Sequence, residues 1–170
     1  MTLRTALTAF VIALAMAGCS RPGVEDQAGT APAEKKAAAA FMATTRGEPG
    51  VKALPSGVLY KVVRSGPADG MRPQLTDEVK VNYEGKLTNG TVFDSSYERG
   101  VPANMPLNQL IEAWKEALQQ MRPGDEWILY VPPEQGYGSE DKGVIPPNSV
   151  LIFRIELLGV LPGPGRVLNG

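Results

Sequence analysis

The side chains best placed to do chemistry in this chain are aromatic, with few polar companions. Tyr83, Phe93, Trp114, Tyr137 and Phe153 lie on separate stretches, and Asp94, with Arg99 a few residues on, supplies charge beside one of them. Taken singly, each has an ordinary explanation. Trp114 stands at helical spacing from Leu118, and Tyr83, Phe93 and Phe153 suit the core of any β-rich domain. Asp94-Ser95-Ser96 reads as a turn or cap, and Arg99 beside Glu98 as a solvated charge. Brought together, they would form a concave apolar surface with a polar rim, a pocket that needs no nucleophile. The chain has no His, which removes the HExxH zinc proteases, His-containing zinc fingers and every nucleophile served by an imidazole base. Its one Cys, Cys19, has no thiol partner for redox work. No metal, nucleotide or organic cofactor is implied.

The elements that must position these residues fit a single domain, since 170 residues leave room for little more. Charges nearly cancel, 17 basic against 18 acidic, and no Lys/Arg stripe invites nucleic acid. The chain begins with Arg4, an apolar run over 9–17 and then Gly18-Cys19-Ser20. That run is too short for a comfortable permanent span and reads as an export signal. Met16-Ala17-Gly18-Cys19 resembles the lipobox of bacterial lipoproteins, with Met16 where Leu is usual. Cys19 is therefore expected to carry the lipid anchor, on a two- or three-chain footing firmer than one acyl group. Ser20 is not the Asp of an inner-membrane retention signal, so an outer-membrane, periplasm-facing location is expected. The organisation reads as a lipoprotein signal peptide over 1–18, a tether with a short helix over 19–50, the folded domain over 51–162 and a C-terminal tail over 163–170.

Within the mature chain, 20–30 is polar and rich in Pro and Gly, and 33–43 holds strong helix formers with only Phe41 and Met42 as large anchors, predicting a short, marginal helix stopped by Gly47-Glu48-Pro49-Gly50. Alternation predicts strands from Gly57 to Val63, over 76–87 with Val79, Val81 and Tyr83 on one face, over 126–131, and over 150–158. Asn89-Gly90 between Leu87 and Thr91 is a strong hairpin signal. Between Glu112 and Met121 the period becomes helical, with Trp114, Ala117, Leu118 and Met121 on one face. One such helix cannot cover both faces of a sheet. An α+β fold follows, a curled antiparallel sheet wrapped around one short helix.

The strings VNYEGKLTNGTVFDSSYERG, LIEAWKEALQQMRPGDEWILYVPPEQGYG and GVIPPNSVLIFRIELLGV resemble, in order and spacing, the signatures of FKBP-type peptidyl-prolyl cis/trans isomerases. The resemblance covers about 55–161 and extends into 40–51, close to the macrophage infectivity potentiator branch. It implies rotation of X-Pro bonds in exported polypeptides, without a cofactor, and macrolides as possible inhibitors. Carried over by position, it implies Asp94, Tyr137 and the Ile111 main-chain N–H as the polar groups acting on substrate. Tyr83, Phe93, Arg99, Met105, Leu110, Trp114, Val144, Ile145 and Phe153 would bind it, Trp114 as floor. Ala103 and Met105 stand where some relatives carry aromatics, so the wall near Pro102 should be thinner and softer. The region before the domain is short beside that of dimerising relatives, which favours a monomer. The alternative is a chaperone-like module that holds unfolded envelope proteins in the same apolar cup without catalysis.

Overall fold

A computed structural model describes residues 30–164 and 166. The expectations for the signal peptide, for Cys19 and for most of the tether lie outside these residues.

Seven strands form one antiparallel sheet: β1 (Val51–Ala53), β2 (Leu59–Arg64), β3 (Glu78–Leu87), β4 (Val92–Ser95), β5 (Ala103–Pro106), β6 (Glu126–Val131) and β7 (Leu151–Leu161). Their order is β1-β2-β6-β7-β3-β4, with β5 also pairing β3. Helix α2 (Ser96–Arg99) follows β4, and α3 (Glu112–Leu118) lies between β5 and β6. The strand period of two explains the core. Val79, Val81 and Tyr83 of β3, Trp127, Leu129 and Val131 of β6, and Phe153, Ile155 and Leu157 of β7 point the same way and are buried with Trp114, Ala117 and Leu118 of α3. The curled sheet around one short helix is therefore as the sequence implies.

The hairpin signal also holds. Leu87 donates its N–H to the Thr91 carbonyl at 2.9 Å, Gly90 to Leu87 at 3.0 Å, and Gly90 has φ 88°, a conformation open to glycine at little cost. Asn89 closes the turn by accepting the Thr91 N–H at 3.0 Å.

Three features differ from expectation. The N-terminal helix α1 runs over Thr30–Arg46, 17 residues, where a shorter and marginal one was expected. It gains from docking what its sequence lacks. Ala38 and Met42 are buried with Leu59 and Val150, and Phe41 packs at the edge of that cluster with Tyr130. Leu59 alternates with Val58 and Tyr60, which belong to the α3 side, so α1 covers the opposite face of the sheet. Both faces are thus partly covered, by two helices rather than one. The short β1, β5 and α2 have too few residues to show a period and were not foreseen.

Candidate functional site

A cavity of about 420 Å³ opens at one end of α3. Its floor is Trp114, 4% exposed, whose ring meets Tyr83 and Phe153 edge-on, each at a centroid distance of 5.2 Å. Phe93 completes the wall, 5.6 Å from Phe153 at 86°. These are the perpendicular arrangements that the ring quadrupole favours. Register explains how residues far apart in sequence meet. Gly85 of β3 stands opposite both Phe153 on β7 and Asp94 on β4. A Cβ there would lie 2.6 Å from Phe93 and 2.8 Å from Phe153, so the missing side chain is what admits the two rings.

The remaining wall comes from connecting segments. Met105 enters from β5, Leu110 and Ile111 from the 3-10 turn and the start of α3, and Tyr137, Val144 and Ile145 from the long loop after β6. Ile145 is buried, whereas Val144 is 63% exposed and forms the lip. Ile111 caps α3: its carbonyl accepts from Trp114 at 3.0 Å and Lys115 at 3.1 Å, and among the described residues no main-chain hydrogen bond takes its N–H. That donor is available to a ligand, as a helix start leaves it.

At the rim, Asp94 accepts hydrogen bonds from the Tyr83 hydroxyl and the Arg99 guanidinium, and Arg99 also donates to the Tyr83 oxygen at 3.0 Å. Burial, followed by the bond to Asp94, raises the Tyr83 phenol above the ordinary tyrosine range. The Asp94–Arg99 pair is about half exposed, so water screens it and its value is geometric. Ser95 caps α2 by accepting the Glu98 N–H at 3.3 Å, and buried Ser96 accepts the Tyr83 N–H at 2.8 Å. The turn-and-cap reading of this stretch thus suits the two serines, while Asp94 faces the cavity. On the other side Lys142 sits 5.6 Å from the Tyr137 ring centroid.

Every pocket position named from the sequence lines this cavity except Arg99, which stands behind Asp94 and Tyr83. Gln109 lines it too and was missed, because a polar residue in a three-residue 3-10 turn carries no periodic signal. Among the described residues no cluster of side chains suited to a metal ion occurs.

A model of the FKBP-type peptidyl-prolyl cis-trans isomerases matches residues 70–158, the stretch that builds this cavity. The chain belongs to that family. A second model, the domain amino-terminal to FKBP-type isomerases, matches residues 5–62, which takes in α1. The FKBP-type chain is 52% identical over 122 residues to the peptidyl-prolyl cis-trans isomerase Mip of Coxiella burnetii, covering 71% of this chain and 52% of that one. It is 43% identical over 122 residues to the outer membrane protein MIP of Legionella longbeachae, covering 71% and 52%. The crystal structure of FkpA from Escherichia coli superposes with a TM-score of 0.75 at 38% identity, over 81% of this chain and 63% of that one. The chain spans about half the length of the curated relatives it matches.

Proposed function

We propose that this FKBP-type chain is a peptidyl-prolyl cis/trans isomerase acting on exported polypeptides, and that the cavity over Trp114 is its active site. The observation that carries this reading is the convergence of Tyr83, Phe93, Trp114 and Phe153 into one apolar cup, beside the Ile111 N–H, which makes no main-chain hydrogen bond among the described residues. Rotation about an X-Pro bond must break amide resonance and, uncatalysed, takes tens to hundreds of seconds. No bond to a heavy atom is made or broken. As the amide twists, its carbonyl loses polarity, so an apolar cup disfavours the planar ground state more than the transition state. Bringing the process to milliseconds asks for about five decades, roughly 7 kcal/mol.

In this reading the prolyl ring sits on Trp114 between Phe93 and Phe153. The Ile111 N–H holds the client main chain, and the Tyr137 hydroxyl bonds the carbonyl before proline. Asp94 orients the Tyr83 hydroxyl and Arg99 and biases the local field; no proton is transferred. The solvent-facing lip at Val144 leaves room for the chain on either side of the proline. Macrolides would enter the same cup.

The test is the rate of cis-to-trans conversion of a proline-containing peptide. Wild-type protein should accelerate it, and Asp94→Ala and Tyr137→Phe should each slow it. An unchanged rate with wild type would reduce the cup to a holding module. Anchoring through Cys19, an outer-membrane location facing the periplasm and a monomeric state belong to the same reading. Support for the location is the lipobox-like Met16-Ala17-Gly18-Cys19 and the name of the Legionella relative. Mass spectrometry of Cys19 should show acyl chains, and Cys19→Ala should release the protein from membranes.

A further inference from the structure

A side-chain hydrogen bond joins helix α1 to the loop that lines the cavity. Asn148 is the sole non-glycine residue with positive φ among the described residues, at 57°, and it is 5% exposed. For a residue with a Cβ this conformation costs about 1 kcal/mol, and Asn bears it more readily than most. Its main-chain N–H donates to the Gly138 carbonyl at 2.7 Å, and its side-chain amide donates to Glu34 of α1 at 3.2 Å.

Gly138 directly follows Tyr137, and the Asn148–Gly138 bond ties the two ends of the loop that carries Tyr137, Val144 and Ile145. Inside that loop Lys142 donates to the Ile145 carbonyl at 3.1 Å, while Gly138 is anchored from below by the Pro133 carbonyl at 2.8 Å. The loop is thus a closed ring of main chain whose clasp is Asn148. The outer support of that clasp comes from a helix on the other face of the sheet. A buried amide without an acceptor would carry a desolvation cost, so removing the Glu34 carboxylate should loosen the clasp.

We propose that Glu34 is a positioning residue for the active site, acting through Asn148 to hold the Tyr137 loop. α1 is then part of the catalytic apparatus as well as a lead-in to it. This inference rests on the isomerase reading above. The Tyr137 hydroxyl must meet a carbonyl that moves as the amide twists, so a looser loop lowers the fraction of correctly aligned encounters and the loss falls on kcat.

The experiment uses the full chain and two readouts. Amide hydrogen exchange at Asn148 should quicken roughly fivefold in Glu34→Ala, the factor that corresponds to about 1 kcal/mol for one hydrogen bond. In the peptide assay the same variant should lose roughly fivefold in kcat with KM held. Glu34→Gln keeps a carbonyl acceptor and should restore both. Asn148→Gly, which accepts the backbone angle, should reproduce the kcat loss, and adding Glu34→Ala to it should cost nothing further. Unchanged Asn148 exchange in Glu34→Ala would overturn the proposal, as would faster exchange with an unaltered kcat or a failure of Glu34→Gln to rescue. A wild-type chain that does not accelerate isomerisation would remove the isomerase reading instead, and the exchange arm would still decide whether Glu34 holds the loop.

Discussion

The hydroxyl of Tyr83 and the carboxylate of Asp94 share a hydrogen bond at the mouth of the cavity, and Arg99 reaches both of them. Neither strand alone would hold these groups together. β3 brings the tyrosine, β4 the aspartate, and the turn of α2 returns the arginine across them.

Tyr83→Phe should therefore keep the ring and lose the junction. Because the junction is half exposed, the expected loss is about 1 kcal/mol, or roughly fivefold in kcat/KM. The pH dependence follows from the raised phenol. A group whose folded pKa lies above its unfolded value of 10.0 contributes stability that is fully present below pH 10 and is lost as the pH rises through the folded value. Tyr97 and Tyr130 are raised in the same direction, chiefly by burial. Thermal unfolding should thus be insensitive to pH on the neutral side of 10 and fall above it, with a shallower fall in Tyr83→Phe.

Gly85→Ala should damage the cup from beneath. The added methyl meets Phe93 at 2.6 Å and Phe153 at 2.8 Å, and Phe153 packs edge-on against Trp114, so its displacement disturbs the floor. Overpacking of this kind costs about 1–3 kcal/mol. A lower urea midpoint together with slower peptide isomerisation is the expected result, and an unaltered midpoint would mean the rings are freer than their packing shows.

The C-terminal segment closes the fold at a buried acid. Asp77, 1% exposed, accepts from the main-chain N–H of Gln74 at 2.7 Å and Gly163 at 3.0 Å and pairs with the Arg166 guanidinium. Arg166 also donates to the Arg72 carbonyl at 2.9 Å. Arg166→Ala leaves a buried carboxylate without its cation and should cost about 1–3 kcal/mol in urea unfolding. The cavity lies elsewhere, so isomerisation below the melting point should be unaffected.

An ionic ladder on the outer face predicts acid behaviour. Glu156 accepts from Asn82 at 3.2 Å and from Arg64 at 2.5 Å, and these bonds, Asn82 first, lower its pKa below the ordinary 4.5. A depressed carboxylate contributes stability present above the unfolded value and lost as the pH falls through the folded one. Glu156→Gln should be less stable than wild type at neutral pH, and the difference should shrink below pH 4.5. Added salt should shrink it too, because Arg64 is half exposed.

Much of this protein is local information. The alternation through 79–83 and 126–131, the helical period about Trp114 and the Asn89-Gly90 turn each act over a few residues, where sterics and the burial of one face decide the outcome. Those signals determined β2, β3, β6 and β7, the turn into β4, α3 and the curled sheet, and the ordered motifs pointed to the residues of the cup. Tertiary structure decided the rest. The length and docking of α1 depend on Leu59 and Val150, which its own sequence does not contain, so propensity alone underestimates it. Gln109 enters the cavity only because a short turn aims it there. The Glu34–Asn148 bond and the Asp77–Arg166 pair join residues 114 and 89 positions apart. Contacts at that separation leave no period in the chain, and only the folded sheet brings them within hydrogen-bonding distance.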